Sequence, residues 1–262
     1  MFKKKTAVIL QVRSDSKRLK NKFLKKIGKE SILKYLIRKI KKIKNKNYVI
    51  IATPKGDKKV TSHLKNIKGI YIFEGSKNNV LDRYYKCSKK FKIDTIIRLT
   101  GDNPFVDVKL ISKYIKIHNQ KNKLFTSNTI DDACPNGIEF EIFDKSILKK
   151  TWKMAKLNSE KSHVTPYMYK MLKRKIIKRK ESLKIDDYSK FSFLRFTLDH
   201  DIDYDVIKNI YKFLYKKNVY FGCDQIIKLY KDRPDVFSKN KNLIRNEDYK
   251  LSLESEHADV CS

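Results

Sequence analysis

The 262-residue sequence predicts an α/β fold, in which a doubly wound, mainly parallel sheet carries helices on both faces. Short apolar runs of strand length alternate four times with segments whose apolar residues recur at helical spacing. The connections are short and carry Gly, Pro or Asn at the breaks. Right-handed helical crossovers join the strands of such folds, and ligands bind outside the carboxyl ends of the strands.

The first half of the chain supplies the four strand–helix pairs. Ser31 and Asn79 each precede an apolar face at helical spacing, so we expect them to cap the first and third helices. Helical patterns also follow the second and fourth strands. The predicted strands are Thr6–Val12, Tyr48–Thr53, Gly69–Phe73 and Asp94–Thr100.

The pattern changes near Leu124. Residues from about 125 to 184 are predicted to form an excursion from the sheet. It contains a strand at Phe140–Phe143 and a helical stretch at Ser146–Tyr169, and it ends in a basic segment that is strand-like or irregular.

The last third returns to the earlier pattern and then becomes polar. Strand character is predicted at Phe191–Asp199 and an amphipathic helix at Ile202–Leu214. We therefore predict one domain over residues 1–234, followed by a C-terminal appendage or frayed tail over residues 235–262.

The chain is strongly basic: 62 Lys and Arg residues against 29 Asp and Glu give a formal charge of +33. Such a charge is typical of nucleic-acid-binding proteins, but here the lysines are spread along the chain rather than gathered on one element. The composition is also rich in Ile and Asn, which indicates a coding bias toward AT-rich codons. We therefore expect a solvated surface that attracts anionic substrates, and a non-catalytic nucleic-acid-binding protein is a remote alternative.

The cysteines and the hydropathy of the chain indicate the cellular compartment of the protein. Cys87, Cys134, Cys223 and Cys261 form neither a CxxC motif nor a metal-binding spacing, which favours a reducing environment. The first apolar run is too short for a signal peptide, and no stretch approaches the roughly 20 apolar residues of a membrane span. These observations predict a cytoplasmic protein without a membrane span.

Asp102 follows the fourth predicted strand, in a turn made by Gly101, Asn103 and Pro104. A carboxylate at the carboxyl end of a central strand lies where open α/β sheets bind their ligands. The same residue types also favour a turn without any ligand, so this stretch alone leaves both interpretations open.

The loop after the first strand combines cations with hydroxyl groups, namely Arg13, Ser14, Ser16, Arg18 and Lys22. In a doubly wound sheet it faces the same edge as Asp102. Cations and hydroxyl groups in a strand-to-helix turn suit a polyphosphate. A Walker loop and a dinucleotide fingerprint are excluded because the loop has no glycine, and a solvated lysine-rich loop is the alternative.

Asp199 ends the later predicted strand and provides a second carboxylate. Two carboxylates at neighbouring strand ends can hold one hard cation such as Mg²⁺. The residues from Asp199 onward resemble a calcium loop only superficially. Tyr204 stands where that loop needs glycine, and Ile210 stands where it needs glutamate.

Three further candidates are weaker. Glu139 and Glu141 are two residues apart on a predicted strand, so they share a face that points either into a cleft or into water. His163 lies within a predicted helix and is either structural or catalytic. Cys134 has no histidine placed beside it by the sequence and is predicted to be inert.

Taken in order, seven motifs resemble the cytidylyltransferase family that makes CMP-activated sugars, and most closely its spore-coat polysaccharide biosynthesis protein F type. The resemblance runs from about Lys4 to Leu229. Each motif is weak alone, but seven in order are specific and favour a functional role for Asp102 and the basic loop. Patterns like IIQARxxSxRLPGKxL, VATS, FRGSxxDVLDRYY, RxTGDxPxxD, PDGxDxEVF, ExEHVTPY and RxTVDxxxD are matched by Ile9–Lys22, Ile51–Pro54, Phe73–Tyr85, Arg98–Asp107, Pro135–Phe143, Glu160–Tyr167 and Arg195–Asp203.

One departure from the family pattern concerns the basic loop. The usual Leu-Pro-Gly-Lys is Leu-Lys-Asn-Lys over residues 19–22, which retains Lys22 but removes two residues that shape the backbone. The geometry of this loop is therefore in question. Smaller departures place Val12, Asn136 and Ser162 where the family has Ala, Asp and Glu.

The resemblance implies a nucleotidyl transfer with Mg²⁺ as cofactor. A sugar hydroxyl would attack the α-phosphorus of a nucleotide triphosphate, expected to be CTP, and pyrophosphate would leave. It further implies Arg13, Lys22 and Asp102 as catalytic residues and Asp102 and Asp199 as metal ligands. The nucleotide would be bound by Arg13, Ser14, Arg18, Lys22, Thr53, Arg83 and Thr100, and the sugar, expected to be an acid, by Glu139, Glu141, His163 and Tyr167.

The resemblance also implies a Rossmann-like, glycosyltransferase-A-like nucleotidyltransferase fold. Its excursion would cover the sugar and pair two subunits into a homodimer. Nucleotidyltransferases for other nucleotides and nucleotide-sugar-dependent glycosyltransferases share this architecture and stay open as alternatives. The sequence does not identify the sugar.

Overall fold

The computed structural model describes residues 4–16, 18–216 and 218–261, with residue 132 and residues 257–261 described by their backbone alone. Within this part of the chain the strands are β1 Thr6–Gln11, β2 Lys26–Ile27, β3 Glu30–Ser31, β4 Tyr48–Pro54, β5 Tyr71–Gly75, β6 Thr95–Thr100, β7 Phe125–Ser127, β8 Glu141–Asp144 and β9 Ser182–Lys184. The α-helices are α1 Ile32–Ile40, α2 Lys58–Leu64, α3 Val80–Lys90, α4 Val108–Gln120, α5 Lys145–Met154, α6 Asn158–His163, α7 Pro166–Lys173, α8 Asp201–Leu214, α9 Cys223–Asp232 and α10 Glu247–Cys261.

Seven strands form the main sheet in the order β5-β4-β1-β6-β8-β7-β9. The central strand β1 pairs in parallel with β4 on one side and with β6 on the other. β8 is antiparallel to both β6 and β7. Because the chain leaves β1 toward β4 and β5 and then returns to place β6 on the other side, the strand order reverses between β1 and β6. Open α/β sheets bind their ligands at such a point.

Both faces of the sheet are buried, which explains why β1 is a continuous apolar run. Val8 and Leu10 point into the cluster beneath α1 and α4, whereas Ala7 and Ile9 point into the cluster beneath α3. A third cluster joins α8 and α9 to the body of the protein. The predicted doubly wound, mainly parallel sheet is confirmed.

The predicted helix caps are present. The Ser31 Oγ accepts a hydrogen bond of 3.2 Å from the Lys34 backbone N–H, and the Asn79 Oδ1 accepts one of 2.8 Å from the Asp82 backbone N–H. Each cap satisfies a backbone donor that the first helical turn leaves unpaired. The sequence therefore fixes the starts of α1 and α3.

The predicted strand at Phe191–Asp199 is wrong. A short 3₁₀ helix ends at Phe191, and the extended chain that follows makes one isolated bridge, between Asn136 and Arg195. Its apolar alternation instead reflects burial of Leu194, Phe196 and Leu198 in the third cluster. Asp199 therefore ends a loop that is packed on the sheet rather than a strand within it.

The single helical stretch predicted at Ser146–Tyr169 is three helices, α5, α6 and α7. Val164 interrupts it with a left-handed backbone angle of φ 73°, and Pro166 then occupies the first position of α7. Proline is favoured there because its missing N–H would have no helical partner. His163 therefore ends a helix rather than lying within one.

The residues after 234 pack on the body of the protein. Val236 and Phe237 are buried in the third cluster, and α10 extends to Cys261. The division into residues 1–234 and 235–262 stays a prediction. In the part of the chain that the structure describes, no helix is long and apolar enough to cross a membrane.

Candidate active site

Backbone hydrogen bonds bring the basic loop, Asp102 and Asp199 together at the carboxyl edge of the sheet. The Gly101 N–H donates to the Gln11 carbonyl (3.0 Å), and the Leu198 N–H donates to the Asp102 carbonyl (2.8 Å). A Cβ at position 101 would lie 3.1 Å from Val12 Cγ2, so glycine permits the close approach of the two loops. Asp102 and Asp199 are thus neighbours although 97 positions separate them in sequence.

Lys22 joins the two carboxylates. Its ammonium lies 3.1 Å from Asp102 Oδ2 and 3.1 Å from Asp199 Oδ1. Burial alone would lower the pKa of Lys22, but the two carboxylates outweigh burial and raise it. Lys22 is therefore a protonated cation at the position where the strand order reverses.

The pKa of Asp102 is set by the same contacts. Burial acts to raise it, but the Lys22 ammonium and a hydrogen bond from Thr100 outweigh this effect, so the pKa is lowered. Asp102 is therefore ionised at neutral pH. The structure brings together Lys22, Thr100, Asp102 and Asp199, four of the residues predicted for the site.

Asn21 replaces the usual glycine in the basic loop and determines the direction of the backbone there. It adopts the left-handed conformation, with φ 52° and ψ 31°, just before Lys22. Asparagine stands here where the family pattern has glycine, and asparagine is among the few residues that tolerate this conformation. The loop of this chain thus turns directly before Lys22, which contacts both carboxylates, without a glycine.

The buried ion pair between Arg195 and Asp203 holds the Asp199 carboxylate. The guanidinium of Arg195 contacts Asp199 Oδ2 at 3.3 Å and both oxygens of Asp203 at 2.9 Å. Asp203 Oδ2 also accepts from the backbone N–H groups of Asp199 and His200. In the sequence, Asp203 is only the last residue of the Arg195–Asp203 motif, and its role in orienting Asp199 is visible only in the tertiary structure.

Arg18 lies beside Lys22 and contacts three carboxylates. Its guanidinium is 3.2 Å from Asp199 Oδ1 and 2.9 Å from Asp248 Oδ2, and it also bonds to Glu247. Glu247 and Asp248 belong to the first turn of α10. No sequence pattern predicts this contact, because the acidic residues lie in the polar tail.

Arg13 and Ser14 lie on the α3 side of the loop. Arg13 is exposed, 4.0 Å from Asp15, and the Ser14 backbone N–H donates to Asp57 at 2.8 Å. Arg13 therefore has a cationic group available to solvent. The Ser14 backbone is fixed by the residue that also caps α2.

Arg83 is buried and reaches toward this loop. It donates to the Ser76 carbonyl at 3.1 Å, while its Nε has no hydrogen-bond partner among the described residues. Burial, followed by the charge of Arg13, lowers its pKa. A Cβ at position 75 would lie 2.9 Å from Arg83 Cγ, so Gly75 makes room for the side chain. A buried donor without a partner is unusual and fits a site that receives a polar ligand.

Thr53 is fully buried at the end of β4, and its hydroxyl group likewise has no partner within the described residues. It does not lie on an open surface. Its role in nucleotide binding stays a prediction.

Glu139 and Glu141 do not share one strand face, which corrects the prediction. Glu139 precedes β8 and accepts hydrogen bonds from the Asn103 side chain (3.0 Å), the Gly137 N–H (2.6 Å) and Arg245 (3.2 Å). Burial raises its pKa even though Arg245 lowers it. Through Asn103, Glu139 is linked to the turn that carries Asp102.

Glu141 is buried within β8. It forms a two-oxygen ion pair with Arg98, at 2.9 and 3.2 Å, and accepts from Thr165 and Tyr169. Tyr167 is also buried, in the cluster beneath α3. Both side chains are buried: Glu141 bonds to interior partners, and Tyr167 packs in the cluster beneath α3. The structure therefore does not bring them to the open part of the site.

His163 faces α10. Its Nε2 lies 3.2 Å from Ser252 Oγ, and its ring packs edge-on against Tyr249. Burial, followed by the charge of Arg98, lowers the pKa of His163 to about 4. His163 is therefore neutral at pH 7 and can act as a hydrogen-bonding group rather than as a cation.

Asp102 and Asp199 provide two of the oxygen ligands that a hard cation needs. Among the described residues, no group of three or more His, Cys, Asp or Glu side chains is arranged to hold a metal ion. Asp102 and Asp199 nevertheless converge on one ammonium. Mg²⁺ is typically held by one or two carboxylates, with substrate phosphates and water completing its shell. The pair therefore fits Mg²⁺ bound together with a nucleotide.

Comparison with known proteins agrees with this arrangement. The family model described as Cytidylyltransferase matches residues 7–244. An uncharacterized protein of Methanocaldococcus jannaschii is 34% identical over 245 residues, which cover 92% of this chain and 96% of that protein. The spore coat polysaccharide biosynthesis protein SpsF of Bacillus subtilis is 32% identical over 212 residues, which cover 78% and 85% respectively.

Solved structures show the same architecture. A cytidylyltransferase from Leptospira borgpetersenii superposes with a TM-score of 0.80 at 26% identity, covering 92% of this chain and all of that one. A CMP:2-keto-3-deoxy-manno-octonic acid synthetase complexed with CTP gives a TM-score of 0.57 at 12% identity, covering 81% and 99%. The second likeness concerns the fold alone. The seven-stranded sheet flanked by helices is a Rossmann-like nucleotidyltransferase fold.

Proposed function

Since this chain belongs to the cytidylyltransferase family, we propose that it transfers CMP from CTP to a sugar, expected to be a sugar acid, with release of pyrophosphate. The relation to SpsF supports a role in surface polysaccharide or glycan biosynthesis. The nucleotidyltransferase class follows from the family. The nucleotide, the sugar and the dependence on Mg²⁺ are the proposal.

The observation that carries the proposal is the position of Lys22 between Asp102 and Asp199. The three groups lie where the strand order reverses, between the loops that follow β1 and β6. Arg18 adds a second cation that contacts Asp199. Two cations and two carboxylates at this point suit a triphosphate that arrives together with a divalent cation.

The proposed chemistry is an in-line displacement. The sugar hydroxyl oxygen forms a bond to the α-phosphorus and loses its proton, while the bond from the α-phosphorus to the leaving pyrophosphate oxygen breaks. Positioning and charge neutralisation supply most of the catalysis in phosphoryl transfers. Arg13, Arg18 and Lys22 would bind the phosphates, and the unpartnered Arg83 Nε would face the nucleotide.

Asp102 and Asp199 would hold Mg²⁺. When bound, this ion supplies charge neutralisation at the phosphates and lowers the pKa of the attacking hydroxyl. Arg195 and Asp203 hold the Asp199 carboxylate in place, and the Thr100 hydroxyl helps to keep Asp102 ionised. These contacts fix both ligands before any substrate binds.

The sugar would lie on the α10 side of the site, near Glu139 and His163. Glu139 supports the Asp102 turn through Asn103, and neutral His163 offers a hydrogen-bonding ring nitrogen. Glu141 and Tyr167 would then shape this pocket from the interior rather than contact the sugar.

A homodimer belongs to the same proposal. Trp152 and Met154 at the end of α5 and Leu157 just before α6 are exposed, within the excursion. Exposed apolar groups that cluster in this way are typical of interaction surfaces. Light scattering coupled to size exclusion would test it: we expect twice the chain mass for the wild type, and Met154→Glu should reduce the mass to that of a monomer. A monomeric wild type would contradict the proposal.

The function is tested by pyrophosphate release with Mg²⁺, each of the four nucleotide triphosphates, and a panel of sialic, pseudaminic, legionaminic and octulosonic acids with neutral sugars. We expect release with CTP and one member of the acid panel. A higher rate with another nucleotide would contradict the choice of CTP. No release, combined with no CTP binding in calorimetry, would contradict the enzyme assignment.

A further inference from the structure

Helix α10 folds back over the basic loop. Its first two residues, Glu247 and Asp248, both contact the Arg18 guanidinium, Asp248 at 2.9 Å. Glu247 Oε2 also lies 3.0 Å from His200 Nε2, next to Asp199. The start of α10 is thus held by the residues that surround the proposed phosphate site.

Further along, α10 rests on α6. The Glu256 carboxylate accepts from the backbone N–H and the hydroxyl of Ser159, at 2.6 and 2.7 Å. Ser252 and Tyr249 contact His163 at the end of α6. The helix is therefore anchored at both the phosphate side and the sugar side of the site.

A turn at Asn246 leads into α10. Asn246 adopts a left-handed conformation with φ 56°, and its carbonyl accepts from the Tyr249 and Lys250 N–H groups. The contacts to Arg18 are the more exposed anchor, since the Asp248 side chain is 51% and the Glu247 side chain 31% exposed. Exposed ion pairs are individually weak, so a ligand with a higher charge density can replace them.

We propose that the first turn of α10 competes with the nucleotide triphosphate for Arg18, and that the helix moves away from the loop when the nucleotide binds. This inference rests on the proposed function, because it requires Arg18 to bind phosphate. Two carboxylates occupy the guanidinium in the free protein, as the phosphate oxygens would in the complex. The contact is autoinhibitory: it lowers nucleotide affinity and keeps three acidic groups together around Arg18.

The carboxylates around Arg18 would repel a bound triphosphate. Asp199, Glu247 and Asp248 place three carboxylates on one guanidinium. A triphosphate adds several negative charges at the same point, and like charges in close proximity are destabilising unless one set withdraws. Phosphate binds arginine through strong, paired hydrogen bonds. Asp199 is held by the buried Arg195, whereas Glu247 and Asp248 contact Arg18 through more exposed ion pairs, so α10 is the part that withdraws.

The test uses the full chain with two charge substitutions, Glu247→Gln/Asp248→Asn, and measures CTP affinity with Mg²⁺ and without sugar by calorimetry. Inorganic triphosphate serves as a second probe without base or ribose. The matched control is Glu254→Gln/Asp232→Asn, which removes the same charge from two exposed positions on α10 and α9. We expect the test variant to bind both probes about fivefold more tightly than the wild type, as loss of two weak ion pairs predicts, and the control to bind as the wild type does.

Hydrogen exchange of the wild type provides a second readout that does not depend on turnover. We expect amides 249–256 to exchange faster when CTP is bound. Equal CTP affinity of the test variant and the wild type, together with unchanged exchange, would overturn the competition while leaving the proposed function intact. If none of the proteins binds CTP or triphosphate, the proposed function is overturned along with the competition.

Discussion

The Asp203 carboxylate accepts two hydrogen bonds of 2.9 Å from the Arg195 guanidinium, and both side chains are buried. The Arg195 Nη2 that donates to Asp203 Oδ2 also lies 3.3 Å from Asp199 Oδ2, at the edge of the site. The pair therefore serves two purposes. It keeps a buried cation neutralised, and it fixes the orientation of a proposed metal ligand.

Asp203→Asn should destabilise the protein by about 3 kcal/mol, because the buried Arg195 would lose most of its compensating charge. Urea unfolding followed by circular dichroism measures this change. Asp205→Asn is the matched control, since Asp205 is on the same helix but half-exposed and, among the described residues, pairs with the surface residues Lys208 and Lys239. It should change stability by less than about 1 kcal/mol. Similar losses of unfolding free energy in the two variants would show that the Arg195–Asp203 pair stabilises the protein no more than a surface pair does.

Asp102→Asn should lower turnover by at least ~100-fold with the fold unchanged, the scale expected for one lost electrostatic stabiliser. The side chain is partly exposed, so the amide fits without disturbing the core. Pyrophosphate release and the thermal midpoint are both measured. Asp94→Asn is the control, because Asp94 lies at the opposite, amino end of β6 and accepts from the Lys5 N–H. An active Asp102→Asn enzyme would refute the metal assignment.

Asn21→Gly should retain full activity, whereas Asn21→Ala should reduce it and lower stability by about 1 kcal/mol, since alanine is strained in the left-handed region. The reason is the φ of 52° that turns the chain toward Lys22. Chemical denaturation and the rate of pyrophosphate release are compared for the two variants. If alanine proves as active and as stable as glycine, the left-handed turn does not control the position of Lys22.

Lys39 should make stability increase with pH above 7. It is fully buried, donates to the Phe221 carbonyl at 2.8 Å and lies near three aromatic rings. Burial lowers its pKa to about 7, although Asp107 raises it and Arg38 adds a like charge. The unfolded chain, with an ordinary lysine pKa, then binds more protons between about pH 7 and 10. Stability is consequently gained as the pH rises through this window and lost as it falls.

The measurement is the unfolding free energy of the wild type and of Lys39→Met at pH 7 and pH 9. We expect the wild type to gain about 2 kcal/mol more than the variant over this range, from the difference in lysine pKa. Methionine has similar length and no charge, so it removes the titration while filling the same space. Equal pH dependence in both proteins would mean that Lys39 does not titrate in this range.

The sequence by itself determined the four parallel strands of the first half and the identity of most proposed site residues. Apolar runs are long enough to mark the buried parallel strands, and Ser31 and Asn79 mark helix starts by local hydrogen bonding. These are short-range signals, which a linear pattern records. The place of Asp102 after β6 follows from the same logic, because a strand end and its turn are adjacent in the chain.

Only the tertiary structure decided how the distant parts meet. The alternation at Phe191–Asp199 arises from burial on a loop, and burial has the same period whether or not a sheet neighbour is present. The bridge of Lys22 to two carboxylates, the support of Asp199 by Asp203, and the contact of Arg18 with Glu247 and Asp248 join residues far apart in the chain. Such contacts depend on which loops the sheet order places together. That order is set by packing of the whole core, which no local pattern encodes.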